Sequence, residues 1–138
     1  MRRPGPAEIH VHANGTDLAL YDWGGDGTPV VLVHATGLCA RTWDPVIAAL
    51  PEAIRIFAVD LRGHGRSPLP GPIEPRFRWR TFGDDLGAAL DALDLRDVLI
   101  VGHSMGGHSA VAAALAAPAL VTRLLLLDPT LSPPPPPG

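Results

Sequence analysis

Ser104 is the residue best placed for chemistry. It lies in the run Val98-Leu99-Ile100-Val101-Gly102-His103-Ser104-Met105-Gly106-Gly107. A serine hydroxyl is a weak nucleophile until geometry and a base activate it. Here an apolar run leads into Gly-x-Ser-x-Gly, and a stretch of small residues follows. That order predicts a strand, a sharp turn and a helix. Ser104 at the turn is expected in a strained backbone conformation, with Oγ projecting above the end of the sheet. Gly102 and Gly106 carry no Cβ, so strand and helix can approach closely around it. The Met105 backbone N–H falls at a helix N-terminus, where partial positive charge favours an oxyanion. The alternative is a Gly/Ser-rich turn without chemistry, because Gly-x-Ser-x-Gly also arises by chance. The strand before, the helix after and the second glycine at 107 favour the nucleophile.

A serine nucleophile needs a base, and the base needs an orienting acid. After Ser104 the only histidine is His108, four residues along the same predicted helix. Its side chain is expected along the helix flank rather than over Ser104, and that of the adjacent His103 is expected to face away. His34 ends another apolar run and reads as a turn-organising histidine bonded to backbone rather than as a base. Asp60, Arg62, His64, Arg66 and Ser67 make a polar cluster punctuated by Gly63 and Gly65, which reads as a braced tight loop. Cys39, the single cysteine, reads as packing rather than a second nucleophile. Arg76-Phe77-Arg78-Trp79-Arg80 alternates basic and aromatic residues, the pattern of a stacking platform for single-stranded nucleic acid. A run of five residues in an acidic protein fits a surface loop better.

The elements that must position these groups follow a regular order. Ile9–Ala13 and Leu18–Trp23 alternate apolar and polar residues around Asn14-Gly15, a hairpin signal. Gly24–Gly27 is expected to be a loop. Val30–Val33 is apolar throughout, as in a strand covered on both faces. Thr42–Leu50 has helical spacing and stops at Pro51. Arg55–Leu61 reads as a strand, Pro68–Pro75 as a loop, and Phe82–Leu93 as an amphipathic helix. Val98–Val101 is a strand, Met105–Ala117 a helix ended by Pro118, and Arg123–Leu127 a last strand. From residue 30 on, strands and helices alternate. That pattern predicts an α/β fold, a mostly parallel sheet with helices on both faces.

Three motifs occur in sequence: His34-Ala35-Thr36-Gly37, Asp60-Leu61-Arg62-Gly63-His64-Gly65-Arg66-Ser67 and Gly102-His103-Ser104-Met105-Gly106-Gly107. In that order the chain resembles the α/β-hydrolase superfamily, and within it the esterase, perhydrolase and C–C hydrolase branch. The resemblance runs from about Val11 to Asp128. It implies an α/β-hydrolase fold and acyl transfer on an ester, thioester or similar bond, with Ser104 as nucleophile. It implies a second oxyanion donor just after the His-Gly pair, which maps onto Thr36; here the pair reads His34-Ala35. The resemblance makes His34 structural. It places the triad acid and histidine after the nucleophile. The histidine would follow a last strand that this chain does not have. Asp128 stands where a minority of the superfamily carries the acid, and otherwise simply ends its strand. No metal and no organic cofactor are implied. A dehalogenase is disfavoured, because its nucleophile is an aspartate.

The chain has 138 residues. That suffices for one domain but is short for this fold, which commonly runs to roughly 200–250 residues. The expectation is therefore residues 1–131 as the N-terminal part of a hydrolase domain, truncated before its C-terminal strands, followed by a proline-rich tail over 132–138. Such a chain is either an enzyme weakened by the loss or a non-catalytic fragment serving as a binding or assembly module. A net charge of −3 gives no electrostatic case for nucleic acid. No apolar run is long enough to span a membrane, and Met1-Arg2-Arg3 is followed by prolines rather than a hydrophobic signal segment. One cysteine suits a reducing cytoplasm. A small-molecule substrate is the expected partner. The leucine-rich strand Arg123–Leu127 would be an unpaired edge, so self-association through it is expected.

Overall fold

A computed structural model of the chain describes residues 3–72 and 78–132. Six strands form one sheet in the order β1-β2-β4-β3-β5-β6. Strands β1 (Ala7–Ala13) and β2 (Thr16–Asp22) form the predicted hairpin, with Asn14 and Gly15 both at positive φ. β2 continues antiparallel onto β4 (Ile54–Val59). From there β4, β3 (Asp26–Val33), β5 (Val98–His103) and β6 (Val121–Leu127) run parallel.

Helices cover both faces. On one face α2 (Arg80–Ala92) and α3 (Met105–Ala116) bury Phe82, Leu86, Leu90, Met105 and Ala113 against Val31, Val33, Val59 and Ile100. On the other, a 3-10 turn (Ala40–Trp43) and α1 (Asp44–Ala49) bury Trp43 and Ile47 against Leu32, Ile56, Ala58 and Val101. The apolar runs of β3 and β5 are what a strand buried on both faces requires.

The structure departs from the sequence reading in a few places. β3 begins at Asp26, not Val30, so part of the expected glycine loop is strand. Asp26 pairs with Ile54, and a register shift separates that pair from Val30–Ile56. The helix expected over 42–50 divides, because Pro45 stands in the first turn of α1 and the preceding turn tightens. β4 stops at Val59, where Asp60 begins the loop.

That loop is tied down by a buried ion pair. The Arg62 guanidinium donates to both carboxylate oxygens of Asp85 at 2.8 Å, and Asn14 Nδ2 donates to Asp85 Oδ1 at 2.8 Å. Hairpin, loop and α2 thus meet at one buried carboxylate. Of the basic–aromatic run, residues 76–77 lie outside the described residues, and so does the proline run 133–137 with Gly138.

Candidate functional site

β5 lies between β3 and β6, inside the sheet, and delivers the chain to Ser104 at its C-terminal end. Ser104 has φ 55° and ψ −118°, a combination a non-glycine residue holds only when its surroundings impose it. They do. The Ser104 N–H donates to Leu127 O at 3.1 Å, and Ser104 O accepts from Gly107 N–H at 2.9 Å and Thr130 N–H at 3.0 Å. The crossing of strand and helix leaves no room for side chains. A Cβ at Gly102 would sit 2.4 Å from Gly106 O, and one at Gly106 would sit 2.4 Å from Val33 O and 2.5 Å from His34 O. The first turn of α3 therefore rests directly on the end of β3.

This contact brings the two expected oxyanion donors to one end of the sheet. Met105 is the first residue of α3, so its N–H has no carbonyl one turn back to bond. Thr36 lies just past β3, in a turn closed by Leu38 N–H to Ala35 O at 3.1 Å, with Gly37 at φ 76° supplying the positive φ. Thr36 is exposed, and its N–H donates to no described residue. Ala35, which replaces the glycine of the resembled motif, is buried and has no positive φ, so its methyl group is accommodated.

His34 organises the turn. It is buried; Nδ1–H donates to Ala35 O at 2.8 Å, and Nε2 accepts the Leu61 N–H at 3.0 Å. Burial holds its pKa below the ordinary histidine value, which suits the neutral ring that this bonding needs. Asp60 is structural as well. It accepts from Ala40 N–H at 2.8 Å, Arg66 N–H at 2.9 Å and Tyr21 O–H at 3.2 Å. Burial, together with that carboxylate, pushes the Tyr21 phenol up to about 12. Ser67 closes the same loop by donating to Asp60 O and accepting from Ala19 N–H.

The remaining groups are not brought to Ser104. No histidine lies at hydrogen-bond distance of its Oγ among the described residues. His108 instead makes a T-shaped contact with Trp79, with ring centroids 5.7 Å apart. Asp128 follows β6 in a left-handed conformation, φ 44°, exposed and without a hydrogen bond or ion pair to a described residue. What does touch the nucleophile is Thr130, whose Oγ1 is 3.3 Å from Ser104 Oγ. Sequence reasoning missed it. The contact depends on how Asp128-Pro129-Thr130 folds back onto Gly107, and no local pattern marks that.

Next to this end of the molecule, α3 and β6 flank an apolar groove of about 610 Å³ lined by His108, Val111, Leu115, Leu126 and Leu131. Among the described residues no cluster of three or more His, Cys, Asp or Glu could hold a metal ion, and no helix is long and apolar enough to cross a membrane.

Comparison with known proteins agrees with this fold. A family model described as alpha/beta hydrolase fold matches residues 28–138. A non-heme chloroperoxidase of Kitasatospora aureofaciens is 42% identical over 95 residues, covering 68% of this chain and 33% of that protein. A 2-hydroxy-6-oxononadienedioate/2-hydroxy-6-oxononatrienedioate hydrolase of Cupriavidus pinatubonensis is 36% identical over 133 residues, 91% of this chain and 42% of that one. Among solved structures, the epoxide hydrolase CorEH superimposes with a TM-score of 0.77 at 33% identity, over 90% of this chain and 42% of that one. The chain thus spans less than half the length of these relatives.

Proposed function

Since the chain belongs to the alpha/beta hydrolase fold family, we propose that it is a serine-nucleophile hydrolase acting by acyl transfer on an ester-like bond of a small molecule. The observation that carries this reading is the conformation of Ser104, φ 55° and ψ −118°, at the strand–helix junction beside an unpaired helix N-terminus. Strain of this kind persists where the surroundings over-determine it, and it clusters at reactive sites. Ser104 Oγ attacks the carbonyl carbon, and its proton passes to water. The carbonyl oxygen, now anionic, takes hydrogen bonds from the Met105 and Thr36 N–H groups. The bond to the leaving alkoxide breaks, and the alkoxide takes up a proton. Water then hydrolyses the acyl-serine to the acid and restores the hydroxyl. No cofactor enters these steps.

Among the described residues none supplies a base to Ser104, and no histidine is bonded to Asp128. On this reading the described residues by themselves provide oxyanion stabilisation and substrate positioning, about 10³–10⁴-fold over water. The unpaired Cys39 is in keeping with a cytoplasmic setting. The same missing base favours a second reading, a non-catalytic fragment serving as a binding or assembly module. Hydrolysis of p-nitrophenyl acetate separates them. Weak turnover that disappears in Ser104→Ala supports the hydrolase. Turnover that is absent, or equal in both proteins, supports the module.

A further inference from the structure

We infer that the Thr130 hydroxyl takes the proton that Ser104 loses as it attacks and passes its own proton to water, an inference that rests on the hydrolase reading above. The segment after β6 is shaped to deliver that hydroxyl. Ser104 N–H donates to Leu127 O at 3.1 Å, and Ser104 O accepts from Thr130 N–H at 3.0 Å. Residues 127 and 130 thus hold the nucleophile's backbone at both its donor and its acceptor, and the chain between them has to reverse. Asp128 makes the reversal at φ 44°, in the left-handed region that non-glycine residues seldom hold. Pro129 then settles on Gly107, where a Cβ would come within 2.7 Å of Pro129 Cβ. A side chain at 107 would therefore push the segment away from Ser104.

With the two backbones fixed, the side chains meet. Thr130 Oγ1 stands 3.3 Å from Ser104 Oγ. That is long for two hydroxyls, as is common at a catalytic contact before substrate binds. Among the described residues neither hydroxyl has another hydrogen-bond partner. A hydroxyl has one proton to give and two lone pairs. Pointing the Ser104 O–H at Thr130 Oγ1 leaves the serine lone pairs for the carbonyl carbon. Thr130 is only half-buried, which leaves its own O–H free to meet water. In the attack the bond from Ser104 Oγ to the carbonyl carbon forms and the Ser104 O–H bond breaks. Thr130 Oγ1 takes that proton as its own leaves for water. Thr130 ends unchanged, and the negative charge sits on the substrate oxygen.

Acylation by p-nitrophenyl acetate, followed as the p-nitrophenolate released in the first turnover, tests the relay. Thr130→Val keeps the side chain's shape and removes the hydroxyl. It should lower the acylation rate constant roughly 2- to 10-fold, the worth of one neutral hydrogen bond, and leave the saturation constant for the ester unchanged. Thr130→Ser should restore the parent rate. In mixtures of light and heavy water the parent's rate, plotted against deuterium fraction, should bow below a straight line, because two protons move together. Thr130→Val should give a straight line. If valine at 130 unfolds the chain, Thr130→Ala gives the same comparison. A hydroxyl-free variant as fast as the parent, no recovery in Thr130→Ser, or the same plot for both proteins overturns the relay and leaves Ser104 as nucleophile. A parent chain that gains no acyl group on Ser104 overturns the hydrolase reading and the relay with it.

Discussion

Replacing Gly106 by alanine should destabilise the fold although it adds one methyl group. The new Cβ would stand 2.4 Å from Val33 O, 2.5 Å from His34 O and 2.8 Å from Val33 C. All three are backbone atoms at the end of a buried central strand, so no rotamer change relieves the clash. Either α3 lifts off β3 or the end of β3 moves, and both disturb the junction that holds Ser104. Overpacking of this kind costs about 1–3 kcal/mol. For a domain of this size that corresponds to a drop in Tm of roughly 3–12 °C. Gly5→Ala is the control, since a Cβ there meets nothing within 4 Å and its φ is not positive. Thermal unfolding followed by far-UV circular dichroism reads both. A Gly106→Ala midpoint equal to that of the parent would refute the close approach of α3 to β3, and with it the placement of Met105 and Thr36 at one site.

Three other outcomes follow from the same structure. Gly87 lies inside α2, and its Cβ would meet Ala117 Cβ at an ordinary 3.6 Å, so Gly87→Ala should raise stability by about 0.5–1 kcal/mol in chemical denaturation; a loss would mean that α2 and α3 pack more tightly than described. Ser104→Gly should stabilise by about 1 kcal/mol by releasing the strain at φ 55°, whereas Ser104→Ala should not; equal midpoints for the two variants would argue against strain. His34 is protonated in the unfolded chain near the ordinary value of 6.5 and in the folded chain only below it. Protons therefore favour unfolding, stability falls as the pH drops below about 7 towards that depressed value, and it is flat with respect to this group above. The Tm measured between about pH 7.5 and pH 5.5 should decline, and the decline should shrink in His34→Gln; a slope that this variant leaves unchanged would remove His34 as its source.

The sequence made the site's scaffold readable where chemistry and local geometry coincide. Gly102 and Gly106 around Ser104 announced a strand–turn–helix junction, and the structure has β5, a positive φ at Ser104 and α3 in that order. Alternating residues around Asn14-Gly15 gave the hairpin, because turn type and side-chain period are both local. What escaped depends on contacts between distant segments. The buried Asp85 is held by Arg62 and Asn14, from a loop and a hairpin far along the chain. The backward extension of β3 to Asp26 is secured by the Asp26 N–H to Ala53 O bond at 2.8 Å, across a glycine-rich stretch that local propensity marks as loop. Thr130 reaches Ser104 because Pro129 packs on Gly107, which no spacing rule anticipates.

The central claim is that Ser104 carries the chemistry, and the most direct test is where an acyl group lands. The chain is incubated with p-nitrophenyl acetate, quenched in acid and mapped by peptide mass spectrometry. With no histidine among the described residues beside Ser104 Oγ to activate water, deacylation is slow as well, and the acetyl-enzyme should accumulate. The account predicts one acetyl group on the peptide spanning Val98–Gly107, assigned by fragmentation to Ser104 and absent in Ser104→Ala. Acetylation confined to other residues, or no adduct under conditions where p-nitrophenol is released, would contradict it.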